Sequence, residues 1–212
     1  MPLFDRNPRP VSRPQLEFRD DRIFYIATED RYATAQYLNS YRIPRVHLMI
    51  FATPHGGGAS AVNVVARLLQ KEREFRAKNE ILDEDQFWVV LDTDHQIQGH
   101  HKSTFVRALN QARRAGYRIA ISNPCFELWL LLHHLSIAKG RAFAGCDEVV
   151  TELRAALGAY DKTKLRPEHF SGKHQTAVTN ARALESHPDN PRGYWPDPSG
   201  SRVYLLIQQL IR

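Results

Sequence analysis

Short hydrophobic runs occur at regular intervals along the first 122 residues of the chain, and longer polar or mixed segments separate them. Runs of this length that are rich in β-branched and aromatic residues are typical of buried strands. The runs are RIFYIAT, VHLMIFAT, FWVVL and YRIAIS, at residues 22–28, 46–53, 87–91 and 117–122.

The segments between these runs have the composition of helices. Residues 29–42 have helical propensity, residues 61–80 carry apolar side chains on one helical face, and residues 102–116 form an amphipathic pattern that ends at a glycine. A glycine loop, PHGGGAS, occupies residues 54–60. Strands that alternate with helices predict an α/β fold, a parallel sheet with helices on both of its faces.

The pattern changes after residue 122. Residues 123–135, NPCFELWLLLHHL, are apolar nearly all round, which predicts a deeply buried helix with Asn123 as its N-cap and Pro124 at its first position. The remaining residues are predicted to be mostly helical. We therefore expect an extended or disordered arm over 1–20, an α/β domain over 21–136, and a helical extension over 137–212 packed on the same domain.

The composition is that of an ordinary globular protein, with 42% hydrophobic and 25% charged residues among 212. No apolar run is long enough to cross a bilayer, and the N-terminal residues show no signal peptide, so no membrane association and a cytoplasmic location are expected. The net charge of +6 favours a polyanionic partner such as nucleic acid, although many arginine-rich chains are basic without binding one.

The two cysteines, Cys125 and Cys146, are not clustered in the sequence. Cys125 lies within an apolar run and is interpreted as a small core residue. Two isolated cysteines in a chain of this length predict neither a disulfide framework nor a zinc site, in keeping with a reducing compartment.

Carboxylates follow three of the four predicted strands. Glu29 comes directly after the first strand, Asp92 and Asp94 end the third, and Glu127 lies in the apolar helix after the fourth. In parallel sheets, ligands bind at the carboxyl ends of the strands. One sheet could therefore bring these four side chains together, either with the third strand continuing through Asp94 or with a turn there.

Neighbouring carboxylates repel each other unless a cation lies between them. Mg²⁺ and Mn²⁺ are held by carboxylate oxygens, so Asp92 and Asp94 are interpreted as half of such a site, with Glu29 and Glu127 as further ligands. Other interpretations remain open. An Asp-x-Asp pair is often a solvated loop, and Glu127 could pair with an arginine or cap its helix.

Two sequence features resemble known families. A strand followed by Glu and a later strand followed by Asp-x-Asp are similar to the Toprim fold of topoisomerases, primases and several nucleases. The segment ISNPCFELWLLLHH, residues 121–134, strongly resembles the RloB-like family, a Toprim-related group found beside bacterial restriction and phage-defence genes. The likeness covers residues 22–212 and includes AYDKTK at 159–164, which is similar to a Tyr-x-Lys segment of that family.

This resemblance implies a Toprim-like α/β domain and a divalent-metal-dependent nuclease that acts in bacterial anti-phage defence. Its metal ligands would be Glu29, Asp92, Asp94 and Glu127, with Glu29 either completing the shell or acting as general base. Lys162 would stabilise the transition state, unless it is an ordinary surface lysine. An ATPase encoded nearby is a plausible partner by analogy with other Toprim defence nucleases, since the chain has no ATP-binding motif.

One motif departs from the family pattern. The family usually has Glu-Gly-x-x-Thr-Glu after its first strand, whereas this chain has EDRYAT, so Thr34 stands where a second Glu is expected. Asp30 could replace that ligand, the site could use one metal, or activity could be lost. Two other functions therefore stay open: a non-catalytic nucleic-acid-binding or regulatory subunit, and a primase-like nucleotidyltransferase.

Two basic or titratable clusters have no assigned role. His95, His100 and His101 border the Asp pair, where they could bind metal, although the segment is mainly a polar loop. The cluster RRAGYR, residues 113–118, could contact phosphates, and a solvated helix end explains it equally well.

Overall fold

The chain folds into one five-stranded sheet in the order β2-β1-β3-β4-β5. The first four strands are parallel, and β5 pairs antiparallel to β4. The computed structural model describes residues 21–56, 58–78, 81–94, 96–97 and 99–212, so the predicted arm 1–20 lies outside the described residues. The strands are β1 Arg22–Thr28, β2 Val46–Phe51, β3 Gln86–Asp92, β4 Arg118–Asn123 and β5 Gly200–Ser201.

Helices cover both faces of this sheet, which confirms the predicted α/β class. Helices α2 and α3 pack on one face, while α1, α4, α6 and α7 pack on the other and α5 packs on α4. The helices are α1 Ala33–Asn39, α2 Ala61–Arg76, α3 His101–Arg114, α4 Phe126–Leu131, α5 Cys146–Leu157, α6 His174–Leu184 and α7 Val203–Leu210, with a 3₁₀ turn at Pro167–His169.

The central strands are buried on both sides, and this explains their nearly continuous hydrophobic sequences. In β1, Phe24 and Ile26 pack into the core beneath α1 and α4, whereas Tyr25 and Ala27 pack against α2 and α3. Successive side chains of a strand point to opposite faces, so a strand covered on both sides needs apolar residues at every position.

The strand order reverses at the centre of the sheet. The chain leaves β1 toward β2 on one side, and it leaves β3 toward β4 on the other side. A crevice forms where two such connections diverge, beyond the carboxyl ends of the strands. Here the crevice lies at the ends of β1 and β3, the strands that Glu29 and Asp92 terminate.

The connection from β4 to α4 differs from its prediction. Asn123 is the last residue of β4 and is not an N-cap; α4 begins at Phe126 with Cys125 in the capping position. The Asn123 side chain instead donates to the carbonyls of Pro196 and Pro198, at 2.9 and 2.7 Å. This contact to residues that are distant in sequence ties the loop before β5 to the sheet, and no local pattern could indicate it.

The prediction that the two cysteines are unpaired is wrong. Cys125 precedes α4, Cys146 begins α5, and the two form a disulfide with a Cα–Cα distance of 5.6 Å across 21 residues of sequence. No spacing pattern along the chain indicates this pair. The pairing depends on the side-by-side packing of α4 and α5, which is a tertiary contact.

Thiol counting should report this bond directly. After purification in air and denaturation in guanidinium, maleimide labelling followed by mass spectrometry is expected to find no adduct, because both sulfurs are bonded to each other. The same sample treated first with a dithiol reductant should carry two adducts. Two adducts without reductant would contradict the pairing.

None of the helices in the described part of the chain has the length and apolar character needed to cross a membrane.

Candidate active site

A cavity of about 520 Å³ opens at the carboxyl ends of β1 and β3, where the strand order reverses. The structure brings all five residues of the predicted site to this cavity, although they come from four separate parts of the chain. Its charged lining consists of Glu29, Asp30, Asp92, Asp94, Glu127 and Lys162, together with His101.

Glu29 extends across the end of the sheet toward β3. Its backbone N–H donates to the Val90 carbonyl at 3.0 Å, which continues the pairing of β1 with β3. Its carboxylate accepts the backbone N–H of Asp92 at 3.2 Å and also accepts the side-chain amide of Gln96. Burial, reinforced by the charges of Asp94 and Asp30, raises the pKa of Glu29 to about 7.

The Asp pair lies on a turn, which decides between the two arrangements that the sequence left open. β3 ends at Asp92, and the backbone N–H groups of Thr93 and Asp94 both donate to the Pro124 carbonyl, at 3.1 and 3.0 Å. The Thr93 hydroxyl also donates to Asn123 at 2.7 Å. The β4–α4 connection therefore holds the turn in place.

Asp92 is the carboxylate with the most acidic surroundings. Burial, followed by the charges of Glu29 and Glu127, raises its pKa well above its usual range. The backbone N–H of Phe126, at the start of α4, donates to it and partly offsets this effect. Asp92 thus lies between the end of β3 and the first turn of α4.

Glu127 is buried, with a side chain that is 6% exposed, and its partners are uncharged. The Tyr160 hydroxyl donates to one carboxylate oxygen at 3.1 Å, and Cys146 Sγ lies 3.5 Å from the other. Burial raises its pKa, and the charge of Asp30 adds to this effect. Within the part of the chain that the structure describes, the ion pairs of arginine involve carboxylates other than Glu127.

The segment after α5 brings Tyr160 to Glu127 and Lys162 to the cavity, and α1 anchors it there. The Gln36 side chain donates to the carbonyls of Lys162 and Thr163, both at 3.2 Å, and accepts the backbone N–H of Leu165 at 2.9 Å. The positive charge of Lys162 lowers the pKa of Glu127, against the effect of burial. Lys162 is therefore part of the site's electrostatics.

The altered motif after β1 places Glu29 and Asp30 at the cavity but has no carboxylate at position 34. Thr34 is buried in α1 and does not line the cavity. Asp30 does line it, but its Oδ2 also accepts the backbone N–H groups of Tyr32 and Thr34, at 2.7 and 3.2 Å, which fixes the start of α1. Asp30 is thus the residue available to replace the missing glutamate.

These oxygen donors have the chemistry that Mg²⁺ and Mn²⁺ prefer. Burial, and after it the charge of neighbouring carboxylates, raises the pKa of Glu29, Asp92 and Glu127. Within the described ranges, the one group of metal-ligating atoms that all lie within 4.8 Å of each other is Cys125, Glu127 and Cys146, whose sulfurs are bonded to each other. No three of the described cavity carboxylates have ligand atoms that all lie this close, so an ion held there would have to keep several of its waters, as Mg²⁺ commonly does.

Two residues at the site had no role in the sequence interpretation. Gln96 donates to Glu29, and Tyr160 donates to Glu127. Tyr160 belongs to the segment that is similar to the family's Tyr-x-Lys segment, and this similarity is the sequence feature that could have indicated it. Gln96 lies in a polar loop with no distinguishing pattern. His101 lines the cavity, while His95 lies outside the described residues.

Replacing Tyr160 with phenylalanine removes the hydroxyl that supports Glu127. We expect the free energy of unfolding to fall by about 1.5 kcal/mol, the size of one hydrogen bond to a charged group in a partly buried setting. Urea unfolding of the Tyr160→Phe variant measures this difference beside a Tyr32→Phe control, which removes the hydroxyl of a partly exposed tyrosine that does not line the cavity. An unchanged midpoint in Tyr160→Phe would show that the hydrogen bond contributes nothing to stability.

The fold and the site define an α/β protein with an acidic cavity at the reversal point of a mostly parallel sheet. The chain belongs to the RloB-like protein family, whose family model matches residues 24–210. The family resemblance inferred from the sequence is thereby confirmed. Comparisons with curated proteins and with solved structures give no match.

Proposed function

We propose that this protein is a divalent-metal-dependent nuclease that hydrolyses phosphodiester bonds in DNA or RNA. The observation that carries the proposal is the convergence of five carboxylates and one lysine on a single cavity at the sheet's reversal point. Carboxylates grouped in this way suit a hydrated Mg²⁺ or Mn²⁺, and nucleic acid is a substrate that matches the net charge of +6.

Each residue has a role in this proposal. Asp92, Asp94 and Glu127 would hold the ion, which when bound lowers the pKa of a water molecule and neutralises charge on the phosphate. Glu29 would either complete the shell of the ion or accept the proton of the attacking water, since its carboxylate lines the same cavity. Lys162 would place a positive charge beside the phosphate, where negative charge develops in the transition state.

We propose a biological setting in bacterial anti-phage defence, which the family resemblance supports. By analogy with other Toprim defence nucleases we propose an ATPase partner; any control by ATP would come from that partner, since the chain has no ATP-binding motif. A cytoplasmic location fits this role. Thiols are kept reduced in that compartment, so the bond between Cys125 and Cys146 would belong to the oxidised form of the protein.

A second candidate function rests on the spacing of the carboxylates. Their ligand atoms are not within 4.8 Å of one another among the described residues, and the family's second glutamate is the buried Thr34. Both observations favour a nucleic-acid-binding or regulatory subunit without catalysis. No observation specifically favours a primase-like nucleotidyltransferase, which remains the third alternative.

The purified protein should be incubated with plasmid DNA, single-stranded DNA and total tRNA, in Mg²⁺, in Mn²⁺ and in EDTA. Cleavage that needs the metal would support the nuclease and identify its substrate. Salt-sensitive binding without cleavage would favour the non-catalytic subunit. This result should be repeated with ATP and the ATPase encoded nearby, and cleavage should still be absent. Incorporation of nucleotides on a template would favour the nucleotidyltransferase.

A further inference from the structure

Helix α3 presents cations to solvent along its whole length and has no acidic residue. Lys102, Arg107, Arg113 and Arg114 are all exposed. Cations in the last turn stabilise a helix through its dipole, which accounts for Arg113 and Arg114. The same effect disfavours a cation in the first turn, so local helix stability does not explain Lys102.

The cations of α3 are not neutralised within the described part of the chain. The ion pairs found there involve other residues, such as Arg141 with Glu152 and Arg202 with Glu185. Exposed cations that have no acidic partner are available to an anionic ligand. Phosphate groups of a nucleic acid are such ligands.

Two partly exposed aromatic rings lie beside these cations. Lys102 Nζ is 5.9 Å from the centre of the Trp195 ring, and the Arg113 guanidinium is 4.9 Å from the centre of the Tyr194 ring. The Tyr194 hydroxyl also donates to Asn110 at 3.3 Å, which fixes the ring against α3. Tyr194 and Trp195, which are adjacent in one loop, thus contact opposite ends of α3. Their partners Arg113 and Lys102 are about 16 Å apart along the helix axis, at the rise per residue of an α-helix.

This surface continues directly into the acidic cavity. His101, Thr104 and Phe105 of α3 line the cavity, and the Phe105 ring lies 5.8 Å from the Trp195 ring. A ligand lying along α3 would therefore have one end at the carboxylates. The first turn of α3, with Lys102, is the part nearest to them.

We propose that α3 and the 194–195 loop form a surface that binds a single nucleic-acid strand and leads it into the acidic cavity. Lys102 and Arg113, which share one face of α3, would contact phosphates of the strand, and Trp195 and Tyr194 would stack on unpaired bases. Cations combined with aromatic rings are the usual means of binding single strands, because the bases of a duplex are already stacked on each other. The inference rests on the proposed nuclease function, since the strand is its substrate.

Binding can be measured without cleavage. The protein is titrated into a fluorescent single-stranded oligonucleotide, made as DNA and as RNA, and into the matching duplex. Binding is followed by fluorescence anisotropy in EDTA at several salt concentrations. The test variant is Lys102→Gln, Arg113→Gln. Its matched control is Lys139→Gln, Arg154→Gln, which removes the same charge from two exposed positions that do not line the cavity. A Trp195→Leu variant tests stacking, and thermal melting checks that every variant is folded.

The test variant is expected to bind the single strand about 20-fold more weakly at ~0.1 M salt. The slope of log K against log salt concentration should also be smaller in magnitude by about 1.4, because each of the two lost phosphate contacts releases roughly 0.7 counterions. The control variant should keep its affinity within about twofold. Trp195→Leu should weaken single-strand binding by roughly tenfold and duplex binding much less.

Three results would overturn the proposal. Equal losses in the test and control variants would mean that net charge alone binds the strand. A duplex bound more tightly than the single strand would exclude stacking as the basis of recognition. An absence of binding to every oligonucleotide would exclude the surface altogether. If binding follows the expected pattern but neither Mg²⁺ nor Mn²⁺ produces cleavage, with or without the neighbouring ATPase and ATP, the nuclease proposal fails and the binding surface stands.

Discussion

Replacing Asp92 with asparagine is expected to lower metal-dependent cleavage by about a thousandfold or more. Asp92 has carboxylates on both sides, and its charge is the one that a bound ion would neutralise most directly. An ion that stabilises the transition state contributes several kcal/mol, and ~4 kcal/mol corresponds to a thousandfold in rate. Asparagine keeps an oxygen that can accept the Phe126 N–H, so the local structure should persist.

The control for this variant lies at the other end of the same strand. Asp83→Asn removes an exposed carboxylate just before β3 and should leave cleavage unchanged. Initial rates on whichever substrate the protein cleaves, measured at saturating Mn²⁺ or Mg²⁺, give the comparison. A loss of less than tenfold in Asp92→Asn would mean that Asp92 does not hold the catalytic ion.

The metal-free protein is expected to lose stability as the pH rises from about 4.5 to about 7. Glu29 keeps its proton up to about pH 7 in the folded protein but loses it near pH 4.5 when unfolded. The folded state therefore binds more protons than the unfolded state within this window, and stability falls as the pH rises through it. The contribution from Glu29 is roughly 3 kcal/mol, and the raised pKa of Asp92 acts in the same direction.

Urea unfolding in EDTA between pH 4.5 and 8 measures this dependence. The Glu29→Gln variant keeps one of the two acceptor contacts of the side chain, since its amide has a single oxygen, and it cannot ionise. Its stability should therefore vary much less over the same pH range. Glu84→Gln, an exposed substitution near the start of β3, should behave as the unaltered protein does. Stability that rises with pH in the unaltered protein would show that Glu29 is already ionised in the fold.

The sheet and the grouping of carboxylates could be predicted because both depend on local patterns. Strands buried on both faces must be continuously apolar, so β1, β3 and β4 are visible in the sequence. Parallel strands end at the same edge, so residues that follow them converge there. The positions of Glu29, Asp92 and Glu127 follow from these two rules.

The remaining features depend on contacts between segments far apart in sequence. β5 has only two residues, Gly200 and Ser201, and it pairs with the end of β4, from which most of the C-terminal part of the chain separates it in sequence. The Cys125–Cys146 bond requires α4 and α5 to pack side by side, and the contact of Trp195 with α3 requires a proline-rich loop to fold back. None of these contacts leaves a periodic signal, so the sequence did not indicate them.

Binding of a divalent ion is the central claim, and calorimetric titration with Mg²⁺ and Mn²⁺ at pH 8 tests it most directly. At that pH Glu29 is ionised, since its pKa is about 7. We predict saturable binding to the unaltered protein and to Asp83→Asn, together with a rise in melting temperature, and we predict neither effect in Asp92→Asn. Absence of binding and of thermal stabilisation in the unaltered protein at millimolar metal would contradict the account.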